Sequence, residues 1–168
     1  MLRRLALIAV GLGGCSGLEV GHDYDRSQDF SALRTWAWAP SLASEAENGA
    51  RLSRLERERI QKAIAGELTG RGYPEADVEA ADFRIRYDAE IGPRVGWAAP
   101  DGRPYPVDQR VVDQGTLIVD VFTRENDRLV WRGAARMIVD FGLTPEERDA
   151  RVRDAVRAIF EKFPPPSL

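Results

Sequence analysis

This chain of 168 residues has one cysteine, Cys15, and one histidine, His22. A single thiol forms no internal disulfide, so the fold must rest on a hydrophobic core. A domain of this size can bury roughly 68–70% of the surface its unfolded chain exposes, which makes a covalent staple unnecessary. A lone histidine with no cysteine or serine motif beside it excludes most nucleophilic triads. The sequence also lacks a phosphate loop, a zinc-protease helix and a dinucleotide fingerprint, so no cofactor is expected. Positive charge is in deficit: 24 Lys and Arg stand against 27 Asp and Glu, a formal net charge of −3. Binding to phosphate backbones needs clustered basic residues, and nucleic acid is therefore excluded as a partner. Long apolar runs are missing too. The run at residues 5–12 is far short of the ~20 residues that a membrane-spanning helix requires.

That short run is informative for another reason. It follows Arg3 and Arg4 and precedes Gly13 and Gly14, which together make a charged start, a brief apolar stretch and small residues at a cleavage point. Leu12, Gly13, Gly14 and Cys15 resemble a lipobox, the signal at which bacterial lipoproteins are cut and lipidated. The resemblance implies a signal peptide over residues 1–14, lipid on Cys15, a tether over 15–19 and a single domain over 20–168. Two or more acyl chains anchor a protein stably where one does not. Ser16 stands where inner-membrane retention would place Asp, so the expected location is the periplasmic face of the outer membrane, with the membrane itself as a partner through the anchor.

Hydrophobic periodicity supplies the elements. Residues 20–24 read as a strand, and Trp36 and Trp38 alternate with Ala37 and Ala39 in a second one. Ser53 and Glu56 form a capping box, in which each side chain satisfies a free amide of the other's backbone. Ile60, Ala63, Ile64 and Leu68 then follow helical spacing until Gly70 or Gly72 ends the helix. From Asp82, the residues Phe83, Ile85, Tyr87, Ala89 and Ile91 alternate with Arg84, Arg86, Asp88 and Glu90, one dry face against one wet face. Residues 115–122 and 129–139 give two more strands joined by a turn containing Asn126 and Asp127, with Asp120, Arg132 and Arg136 facing out. Gly133 interrupts the apolar face of the second and marks a bulge or a close approach of a helix. Thr144, Pro145 and Glu147 open a last helix with the stripe Val152, Ala155, Val156, Ile159, Phe160, Phe163, stopped by Pro164, Pro165 and Pro166. The expected fold is α+β: an antiparallel twisted sheet of about five strands, two amphipathic helices packed on one face, and the order ββαβββα.

Four blocks of this pattern resemble DUF4136, a domain of unknown function found in bacterial envelope lipoproteins. They are Asp29, Phe30 and Ser31 with Thr35 to Trp38; Ile60 to Leu68 with Arg71, Gly72 and Tyr73; Asp82, Phe83, Ile85 and Tyr87; and Gly115 to Asp120 with Leu129 to Gly133 and Ala135. The resemblance implies a lipid-anchored α+β domain and carries over no catalytic residue.

Two regions stand out as candidate sites. His22, Asp23, Asp25 and Asp29 are competent metal or acid/base groups, yet their spacing matches no metal loop, and a solvated strand and turn is the plainer reading. No metal is expected there. Residues 92–113 separate two strong strands by far more than the usual 4–6 residues of a loop. Trp97 and Tyr105, with Arg94, Arg103 and Arg110, would form an aromatic and cationic recognition surface, set against packing or disorder as plainer accounts. The indoles of Trp36, Trp38 and Trp131 are taken as core. A non-enzymatic binding module for an envelope protein, glycan or lipid is thus the leading expectation. A hydrolase built on His22 and Asp25, or a structural spacer, are the alternatives.

Overall fold

The computed structural model describes residues 17–40, 52–93 and 113–165. The elements run β1 (Glu19–Tyr24), a single 3-10 turn at Phe30–Ala32, β2 (Trp36–Trp38), α1 (Arg54–Gly70), β3 (Phe83–Pro93), β4 (Asp113–Thr123), β5 (Leu129–Ile138) and α2 (Pro145–Phe160). This is the expected order, ββαβββα. The strands form one sheet in the order β1-β5-β4-β3-β2.

The sheet is mixed rather than wholly antiparallel. β1, β5, β4 and β3 pair antiparallel, but β2 lies parallel to β3, with Trp36 opposite Phe83 and Trp38 opposite Ile85. A parallel pair needs a crossover connection, and α1 is inserted between these two strands to supply it. Alternation within three residues carries no information about strand direction, which is why the pattern alone did not reveal it.

Both helices start where their capping boxes place them. Ser53 and Glu56 bond reciprocally at the head of α1, and Thr144 and Glu147 do the same at α2, where Pro145 occupies the first turn. Beyond α1 the chain reverses at Gly72, whose φ of +86° is a conformation that glycine adopts without side-chain strain. The helices lie on one face of the sheet and touch each other, with the Arg59 guanidinium on the Asp149 carboxylate, and just past their ends Arg71 reaches the Phe163 carbonyl. Between helices and sheet sits a single core. Ile60, Ile64 and Leu68 of α1 and Val156, Ile159 and Phe160 of α2 meet Trp36, Phe83, Ile85, Val119, Val121 and Trp131. Gly133 is a close approach: a side-chain carbon there would fall 2.3 Å from the Trp131 ring and 2.7 Å from Ile159. The ladder irregularity lies elsewhere, between Val121 and Phe122.

The other face of the sheet corrects two expectations. Arg84, expected in solvent, is buried with its guanidinium on Asp127 and the Val78 carbonyl. Asp120, also expected outside, is only 4% exposed. It stands in register between Arg86 on β3 and Arg132 on β5, accepting hydrogen bonds from Arg132 at 2.6 and 2.9 Å and from Arg86 at 3.1 Å. The two long side chains fold over the carboxylate and shield it from water. Arg86 lies in addition 4.8 Å over the Phe122 ring.

Candidate functional site

Both helices begin at the same end of the molecule, the end where β3 and β4 reach Pro93 and Asp113 and where β5 gives way to the turn before α2. The sheet and the helices diverge there and leave a cleft. Leu52, just ahead of the first helix, and Ile60 within it line one side, Ala89 and Ile91 line it from β3, Leu117 from β4, Met137 from β5 and Val152 from α2. Its volume is about 130 Å³. A dry apolar cavity of that order takes up a benzene-sized group.

The rim is polar and tightly held. Arg148 donates to the Phe141 carbonyl at 2.7 Å and Arg151 to the Ile138 carbonyl at 3.2 Å, so the turn between β5 and α2 is tied to the first turns of the helix. Asp140 accepts the Gly142 N–H at 2.8 Å and fixes the same turn from within. Phe141 is 60% exposed and Ile138 41% exposed at the mouth. The Nε of Arg148 is buried with no hydrogen-bond partner among the described residues. A buried donor left unpaired costs on the order of 1–3 kcal/mol, so an oxygen acceptor entering the rim would be stabilised. The geometry suits a ligand with an apolar body and a hydrogen-bond acceptor at one end.

The acidic cluster of the N-terminal region is built differently. His22 lies on β1 opposite Gly133, its ring stacked 6.1 Å from that of Tyr24. Asp23 accepts the Tyr24 N–H at 2.9 Å. Asp25 accepts the hydroxyl and N–H of Ser27 at 2.6 and 2.8 Å and pairs with Arg128. Asp29 holds Ser31 in the same way and caps the 3-10 turn. The Ser27 hydroxyl first, and then its N–H, keep the Asp25 carboxyl below the ordinary carboxylate value, and Ser31 does the same for Asp29. Asp25 and Asp29 thus form turns, and Asp23 belongs to β1. Among the described residues, no group of three His, Cys, Asp or Glu side chains could hold a metal ion.

Cys15 lies outside the described residues, as do Arg94, Trp97, Arg103, Tyr105 and Arg110. The long connection that carries the last five is shorter than the expected 92–113, because Gly92, Pro93 and Asp113 belong to strands. Its stem is the pair Pro93 and Asp113, two residues along the ladder from the cleft residues Ile91 and Gly115. Trp36 and Trp131 are buried, and the Trp131 indole N–H donates to the Lys162 carbonyl at 3.3 Å. The cleft was not foreseen. Its visible signature is the apolar run Ile138, Val139, Phe141 and Leu143 in a connection that needs no core residues of its own.

A family model for DUF4136, a domain of unknown function, matches residues 20–165. No protein of curated function matches the sequence. Among solved structures, a DUF4136 family protein from Bacteroides thetaiotaomicron superposes with a TM-score of 0.56 at 18% identity, covering 88% of this chain and 96% of that one. A PDZ domain protein from Parabacteroides distasonis gives 0.55 at 13% identity over 91% of this chain and 36% of its own length. The PelC dodecamer from Paraburkholderia phytofirmans gives 0.51 at 10% identity, over 85% of this chain and 94% of its subunit. At these identities the likeness is one of fold.

Proposed function

Since the chain belongs to the DUF4136 family, whose activity is unknown, over residues 20–165, we propose a role read from its own site: a lipid-anchored, non-enzymatic binding module of the bacterial envelope. Cys15 carries the anchor on the periplasmic face of the outer membrane, and the cleft between the two helix starts and the sheet end accepts an apolar group. The cleft is the observation that supports this reading. It combines an apolar lining with one unpaired buried guanidinium atom at its rim, whereas Asp25 and Asp29 near His22 are engaged in turns.

Methyl NMR of the full-length chain during titration with benzene tests the cleft. Saturable shifts are expected at Ile60, Leu117 and Val152, and they should vanish in Ala89→Phe, which fills the cavity. Unchanged methyl signals in the native protein would overturn the assignment. The anchor is tested by metabolic labelling with a clickable fatty acid, which should require Cys15; a Cys15→Ser variant that still labels and still sediments with membranes would remove it.

A further inference from the structure

The position of the first described residues gives the molecule a direction. β1 runs antiparallel to β5 with Glu19 opposite Arg136, which brings Gly17, two residues earlier, beside Ile138. A side-chain carbon on Gly17 would lie 4.0 Å from the Ile138 Cδ1. Cys15 is two residues further back, and two extended residues span at most about 7 Å. Any lipid on Cys15 therefore enters the bilayer close to Ile138, at the rim of the cleft.

The surface surrounding that point is apolar where it protrudes. Ile138 and Phe141 are two of the four large hydrophobic residues exposed among those described, and a third, Leu55, sits in the first turn of α1 at the same end. The turn bearing Phe141 does not flex freely, because Arg148 and Arg151 grip the carbonyls of Phe141 and Ile138. Asp140 and Glu90 border the cleft beside these arginines, so opposite charges are mixed there and electrostatic attraction to anionic lipid does not drive contact. Apolar side chains on a fixed turn, next to an acylated residue, have a bilayer surface as their natural counterpart.

We propose that the turn between β5 and α2 is a membrane-docking wedge, with Ile138 and Phe141 seated among the lipids and the cleft opening onto the bilayer surface. The proposal rests on the anchor at Cys15. Lipidation consumes the Cys15 thiol, so a cysteine introduced elsewhere is the sole reactive one. The full-length, lipidated chain carrying Phe141→Cys is labelled with an environment-sensitive nitrobenzoxadiazole dye and reconstituted in phosphatidylethanolamine–phosphatidylglycerol vesicles. Glu125→Cys, in the exposed turn between β4 and β5, serves as the reference. At position 141 the emission should shift to the blue, and doxyl-labelled lipids should quench it several-fold more strongly than at 125. Equal quenching at the two positions in protein whose Cys15 is shown by mass spectrometry to carry lipid overturns the wedge and leaves the anchor standing. A mass showing Cys15 unmodified overturns the anchor itself, and the wedge with it.

Discussion

Gly133 shows how much can depend on one missing side chain. It sits at the centre of β5, and the Trp131 ring and Ile159 fill the space its Cβ would take, at 2.3 and 2.7 Å. The indole cannot yield easily, since its N–H is committed to the Lys162 carbonyl and its ring stacks on Phe160 and meets Phe163 edge-on. Gly133→Ala should therefore cost about 1–3 kcal/mol, the usual range for overpacking, read as a lower midpoint in urea denaturation with an unchanged slope. Asp82 matters for a different reason. Burial raises its carboxyl pKa, but hydrogen bonds from the N–H groups of Arg34 and Thr35 and from the Thr35 hydroxyl outweigh this and hold it below the ordinary value of 3.8. A group with a lowered folded pKa contributes stability above its unfolded pKa and loses it as pH falls through the folded one. Thermal stability should thus fall as the solution is acidified from 3.8 downward, and Asp82→Asn should flatten that slope while lowering stability at neutral pH.

At the level of the elements, the helices were legible because their signals are local. Four residues spell each capping box, and the structure forms both. Ser53→Ala and Thr144→Ala should each cost about 1 kcal/mol, the usual effect of deleting a cap, seen as a lower unfolding temperature. The strands were legible for a similar reason, since alternation is written residue by residue. Pairing is not local. Nothing in Trp36–Trp38 states that it runs parallel to β3, and nothing in Asp120 states that arginines from both neighbouring strands will cover it. The cleft depends on five segments meeting at one end of the sheet, and so only its apolar turn left a trace in the sequence. The acids near His22 were visible as residue types. Their role as turn formers depended on Ser27 and Ser31, each two positions further along.

For the whole molecule, the order β1-β5-β4-β3-β2 places the first two strands of the chain at opposite edges of the sheet. β1 finds its partner only in β5, and the Asp25–Arg128 pair at the end of that ladder joins residues 103 positions apart. Loops this long make folding slow, on the scale of milliseconds to seconds for sheets dominated by distant pairings. Refolding from urea, followed by tryptophan fluorescence, is expected on that timescale. A main phase faster than about 0.1 ms would contradict it. The same topology makes β1 a detachable piece. A chain emerging from its N-terminus must hold this strand in reserve until nearly everything else is in place, and meanwhile β5 presents an open edge that any extended segment can pair with. The copy nearest at hand could lend its own β1 instead, exchanging strands between molecules without altering a single contact within the fold.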